Sequence, residues 1–181
     1  MADNVVQLEL GVAHTCALLE SGVVRCWGAN GFKQVGDSTN TSARVDPVEQ
    51  RYLPAADLIA LGSFHNCARD RSGNVWCWGR GDLGQLGNGS LYDSWRPVQV
   101  EGVRGVSGLA LGRAHSCALI DDGTVRCWGH NGYGQLGLGS MEGARRCGEG
   151  LSSRGHCFVT PRSVPNLTGA VQLVAASDHT C

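Results

Sequence analysis

With 181 residues the chain can form one domain with a sizeable core, and its formal net charge of −1 gives no basic field for nucleic acid. No apolar run is long enough to span a bilayer, and the opening MADNVVQLEL lacks the basic and apolar regions of a signal peptide, so none is expected within it. The 27 glycines follow no G-X-Y period and point to many tight turns, while nine cysteines call for either disulfides or metal.

In chain order, the sequence spells one unit repeatedly. An apolar run, VVQLELG, leads into HTCALLESGVVRCWG from His14 to Gly28, then a Gly-rich loop NGFKQVG and a Pro-led stretch DPVEQ. The second unit reads DLIALG, HNCARDRSGNVWCWG, GDLGQLG and RPVQV. The third reads VSGLALG, HSCALIDDGTVRCWG, NGYGQLG and PRSVP, and AVQLVAA then begins a fourth that runs to Cys181. His14, His65, His115 and His179 mark the register, with steps of 51, 50 and 64; the long step holds an insert over 141–157. Each unit predicts four short strands separated by turn residues, with no useful helical periodicity. The period and strand number fit β-propeller blades, which cannot bury both faces alone and must stack. The fold class expected is all-β, with repeats at about 5–56, 57–105, 106–169 and an incomplete 170–181.

Three cysteine pairs, Cys16 and Cys26, Cys67 and Cys77, Cys117 and Cys127, are each ten residues apart. The intervening turns centre on Ser21, Ser72 and Asp122, each followed by a glycine suited to a left-handed turn position. Folding about that centre sets the two cysteines opposite each other as a close cross-strand pair, within disulfide reach. Each bridge would add about 2–3 kcal/mol in the chain-entropy view. Cys147 and Cys157 share the spacing and are expected to close the insert, which leaves Cys181 over. His-x-Cys with a distant Cys also offers soft zinc ligands, but structural zinc sites usually bring two close pairs. The histidine is therefore expected to be structural, bonding a backbone carbonyl of a neighbouring turn, with no metal and no cofactor. Paired cysteines point to an oxidising, extracytoplasmic compartment: periplasm, cell surface or medium.

RCWGHNGYGQLGLGS and WCWGRGDLGQLGNGS closely resemble the regulator of chromosome condensation repeat, and the resemblance covers nearly the whole chain apart from the insert. The family implies a seven-bladed propeller. Seven units of this length need about twice these residues, so a partial propeller or a fragment of one is expected, with remaining blades or a second copy to complete the ring. The Cys-paired form is most similar to repeats in exported bacterial proteins and to some plant receptor kinase ectodomains.

Several motifs are better read as scaffold. GRGDLG and GYGQLG match a dinucleotide fingerprint but lack the strand before and the helix after. Arg80-Gly81-Asp82 spells a cell-surface tripeptide, yet it is one variant of a loop reading ANG and HNG elsewhere. Trp27, Trp78 and Trp128 share one repeat position and are expected to pack between blades. There is no HExxH, G-x-S-x-G or Walker loop, and no enzyme is expected.

Function in repeat proteins concentrates where the repeats differ. Those positions give the partner-binding candidates: Phe32 and Lys33, Arg80 and Asp82, His130 and Tyr133 in the loops, Tyr92 and Trp95 in SLYDSW, and Arg145, Arg146 and Arg154 in the insert, read as a protruding recognition loop. The reading is an exported, non-catalytic scaffold for a protein partner, without nucleic acid or membrane insertion. The resemblance also implies two alternatives, a guanine-nucleotide exchange factor-like regulator of a small GTPase and a secreted enzyme inhibitor; a propeller enzyme is a further alternative, which would need clustered carboxylates on one face.

Overall fold

The structure, a computed structural model, describes residues 3–39, 41–141, 144–147 and 155–181. The described chain is all-β and forms three sheets in sequence order. The first runs β1 (Val5–Leu10), β2 (His14–Leu19), β3 (Val24–Ala29), β4 (Ala43–Glu49), each antiparallel to the next. The second repeats this with β5 (Ala56–Leu61), β6 (His65–Asp70), β7 (Val75–Gly79) and β8 (Ser94–Gln99). The third has β9 (Val106–Leu111), β10 (His115–Ile120), β11 (Val125–His130) and an outer strand β13 (His156–Ser163). The two-residue β12 (Arg145–Arg146), from the insert, pairs onto β13 as a fifth strand. Cys157 lies within β13 opposite His130, so the end of the insert belongs to the blade. Beyond it, the bridge Ala175–Thr180 opens the next repeat.

The core lies between the sheets. Leu18, Val24 and Val35 of the first blade pack against Ile59, Ala68 and Trp78 of the second. Val75 and Leu86 pack likewise against Val106, Leu111 and Trp128 of the third. A third cluster joins Leu119, Val125 and Phe158 to Ala170 and Leu173 of the following segment. The central strands of the second and third sheets are thus covered on both sides. β6 and β10 are buried at nearly every position, while the outer strand β4 is mostly exposed. Ile59 is buried at 1 %, yet Leu8, at the matching position of β1, is 54 % exposed, because no blade lies against that face among the described residues.

The CWG triplet has a local cause. The register shifts at each tryptophan, between Cys26 and Gly28, Cys77 and Gly79, and Cys127 and Gly129. Such a bulge re-aims the side chain. The glycine that follows takes a left-handed backbone, with φ of 103° at Gly79, and a Cβ there would sit 2.6 Å from the Phe64 carbonyl oxygen. Gly73, in the hairpin turn, has φ of 81° but open space around it. Gly79→Ala should therefore cost about 2–3 kcal/mol, from strain plus overlap, and Gly73→Ala only about 1 kcal/mol. Urea midpoints of the two variants measure the difference.

Candidate functional site

The repeated residues are used up in joining the blades. Gln34 turns its side chain onto its own loop, where Oε1 accepts the Phe32 N–H at 2.9 Å. Its backbone carbonyl faces the next blade and accepts the Trp78 indole N–H at 3.1 Å and the Asn66 amide at 2.7 Å. Gln85 repeats the arrangement: Oε1 takes the Leu83 N–H, and its carbonyl takes the Trp128 N–H and the Ser116 hydroxyl, both at 2.9 Å. Trp78 and Trp128 are wholly buried between blades. Asn30 and Asn131 are buried too, their side-chain oxygens accepting the N–H groups of Val35 and Leu136 at 3.1 Å.

The repeated histidines complete the junction, but through side chains of the next blade rather than a backbone carbonyl. Nε2 of His14 lies 2.7 Å from the Asn66 side-chain oxygen, that of His65 2.8 Å from the Ser116 hydroxyl, and that of His115 2.8 Å from the Thr180 hydroxyl. Each ring thus bonds the residue between His and Cys of the following repeat. That residue is small and polar every time, a signal the sequence carries in Thr15, Asn66, Ser116 and Thr180. Gly112 lets the ring lie close, since a Cβ there would fall 2.1 Å from His115 Cε1.

The cysteine pairs sit on these packed faces. Cys16 and Cys26, Cys67 and Cys77, Cys117 and Cys127 are opposite each other in register, at disulfide-bonding distance with Cα atoms 4.1 Å apart. That spacing belongs to the narrow type of cross-strand pair. Cys147 and Cys157 are also at disulfide-bonding distance, with Cα atoms 6.2 Å apart, and Cys181 is free and exposed.

The positions that differ between repeats gather at the end of the blades where β1–β2 turns meet β3–β4 loops. The Ala13, Phe64 and Ala114 carbonyls accept N–H groups of Ala29, Arg80 and His130 there. Phe32 packs on Phe64 with ring centroids 5.0 Å apart, and the Arg80 guanidinium lies 4.7 Å over the Phe32 ring. Arg80 also holds Asp82 through two bonds of 2.7 and 2.8 Å. The tripeptide's two charges are therefore spent on each other. Lys33 takes a left-handed backbone, φ 64°, where the other loops have Gly84 and Gly134. His130 and Tyr133 form an edge-on pair 5.8 Å apart, with Tyr133 64 % exposed, and Tyr92 is 81 % exposed.

Trp95 does not join this group; it packs edge-on against Tyr52 of the preceding connection at 5.5 Å. Arg145 and Arg146 are exposed on β12. Arg154 lies outside the described residues.

A chain of interlocked four-stranded blades of this kind is a propeller segment, and the comparisons name its family. The chain belongs to the regulator of chromosome condensation (RCC1) repeat family, matched over residues 72–119 and 122–181 and, by a second profile of the same repeat, over 5–34, 57–85 and 106–135. It is 34 % identical over 103 residues to the E3 ubiquitin-protein ligase HERC2 of Homo sapiens, covering 56 % of this chain and 2 % of that protein. In structure it resembles Prp20p from Saccharomyces cerevisiae, with a TM-score of 0.85 at 24 % identity over 99 % of this chain and 43 % of that one. The ectodomain of the Arabidopsis thaliana receptor kinase ACR4 aligns with a TM-score of 0.53 at 21 % identity, over 99 % of this chain and 51 % of that one. The chain therefore spans a small part of HERC2 and about half or less of the two solved propellers.

Burial sets the acid limit of the junctions. Loss of water lowers the His65 imidazole to about 3, helped by the nearby His115, His14 and Arg80 charges. It lowers His115 to about 4, with Asp178 opposing and His130 and His179 assisting, and it holds His14 below the ordinary range against the bond from Asn66. The folded chain keeps these rings neutral, whereas the unfolded chain protonates them near pH 6.5. Their contribution is whole above that pH and is lost as pH falls toward 4, at about 1.4 kcal/mol per ring per pH unit. Urea unfolding between pH 7 and pH 4 should show this decline, and His65→Gln should reduce its slope by about one proton's worth.

Proposed function

We propose that the chain is an exported, non-catalytic scaffold that binds a protein partner through the loop end of its blades. One observation carries the reading. Most residues common to the repeats are buried in the blade junctions, while Phe32, Arg80, Tyr92, His130 and Tyr133, which differ, gather at one end, with Tyr92 and Tyr133 open to solvent and Phe32, Arg80 and His130 half-buried beside them. Exposed aromatic rings over a rigid base are what binding hot spots use. Protein binding is compatible with the fold, since Prp20p is described with binding to Gsp1p and histones. Export is supported by the four cysteine pairs at disulfide-bonding distance, and propeller likeness extends to a receptor kinase ectodomain. The exposed Arg145 and Arg146 of the insert extend the same surface. Further blades or a second copy would cover the open β1 face.

Two measurements test this. The protein purified from its native compartment, alkylated under denaturing, non-reducing conditions and weighed intact, should carry one modified thiol, that of Cys181. Modification of all nine cysteines would withdraw export and favour an intracellular, exchange-factor-like role. Partners captured on the immobilised chain should be lost by the triple change Phe32→Ala, Arg80→Ala and Tyr133→Ala. They should be kept by Ser21→Ala with Asp122→Ala at the opposite turns. Equal capture by both variants would place the partner elsewhere.

A further inference from the structure

A second surface lies away from the loop end, on the outer rim of the first blade. A groove of about 450 Å³ runs along the outer strand β4 and reaches across to Trp95 of the second blade. Its volume falls in the range of ligand-binding clefts. Arg44 forms one wall and is fixed there, 2.7 Å from Asp37. Asp37 is fully engaged: its other oxygen takes the Asn30 amide at 2.9 Å and the Thr39 hydroxyl at 2.7 Å. Arg25 faces Glu49 at 3.7 Å, too far for a hydrogen bond, and both side chains are about half exposed. Arg51 is exposed and forms no ion pair among the described residues. Three guanidinium groups thus converge on two carboxylates, one of them saturated, and the groove keeps a surplus positive charge.

The apolar wall has a definite form. Tyr52 and Trp95 meet edge-on, and the Arg96 guanidinium lies over both rings, 4.5 Å from the first centroid and 4.6 Å from the second. Arg96 holds the pair in place and occupies ring faces that a nucleobase or sugar would stack on. The two carboxylates set between the arginines also oppose a continuous phosphate backbone. A peptide avoids both obstacles, because its acidic side chains are discrete and its neighbouring residues can lie along the ring edges.

We propose that this groove docks an acidic segment of a partner protein, its glutamate or aspartate side chains bonding Arg25, Arg51 and the free N–H groups of Arg44 while an adjacent apolar residue packs on Tyr52 and Trp95. The site is independent of the loop-end reading.

Fluorescence anisotropy tests it with a labelled dodecapeptide of alternating glutamate and serine around a central tyrosine, and with its glutamine counterpart. The full chain should bind the glutamate peptide at least about tenfold more tightly than the glutamine one near 50 mM salt, and the margin should shrink near 300 mM. Arg25→Ala with Arg51→Ala, both exposed and so harmless to folding, should remove that margin, while Tyr52→Ala should weaken binding of the glutamate peptide. The loop-end triple variant should bind the peptide as the unaltered chain does, which separates the two surfaces. Equal binding of the two peptides, indifference to the double arginine change, or a preference for a single-stranded oligonucleotide over the peptide would overturn the proposal.

Discussion

Everything in this molecule depends on the junction between successive sheets. A four-stranded blade has two apolar faces and no interior, so its central strands are solvated unless a neighbour lies on each side. The junction meets that need with apolar packing and with one fixed polar exchange. A glutamine carbonyl in one blade receives a tryptophan N–H and a small polar side chain from the next, and a histidine reaches forward to that same small residue. The carbonyl, the indole N–H and one nitrogen of each histidine are satisfied in this way, while Nδ1 of His14, His65 and His115 is buried without a partner among the described residues. Packing alone would tolerate sliding of one sheet over another; these bonds set a single register.

The same economy separates scaffold from surface. A position repeated in every blade is needed at every junction and is hidden there. Only positions free of that duty can vary, and they lie in the loops and on the outer strands. Lys33 illustrates the cost of variation. It holds a left-handed backbone that glycine fills at Gly84 and Gly134, a strain of about 1 kcal/mol that the surrounding loop supports. The insert shows a cheaper route, since β12 adds to an outer edge without disturbing a junction.

Much of the architecture was legible because the unit recurs. The strand number, the Gly turns at Gly22, Gly73 and Gly123, and the burial of Trp78 and Trp128 all follow from repeat position, pattern and spacing. The histidine's partner was not read, because it lies a whole repeat away and a sequence shows only near neighbours. The clue was present in the small polar residue before each cysteine, but it has meaning only once two blades are set side by side. Trp95 and Tyr92 were grouped by sequence, and the chain separates them. One faces solvent, and the other turns under the rim to meet Tyr52, a side chain that the repeats do not share, since Gly102 stands at its place in the next connection. The rim groove was invisible for the same reason: its charges come from β3, β4 and the link to the next blade, and no motif unites them.

Among the described residues the cysteine pairs at disulfide-bonding distance lie within a blade, and none lies between one blade and another. Covalent and non-covalent cohesion are therefore divided between different levels of the structure. Under tension along the chain, the seams are the parts free to separate, while each hairpin keeps a closed covalent loop that stretching cannot open. An oxidised chain pulled from its ends would lengthen in steps, one per blade, each shortened by the residues locked inside its loop. In a reducing medium the same steps would lengthen by that hidden slack. The molecule's extensibility would then report the redox state around it, with little change in the resting shape.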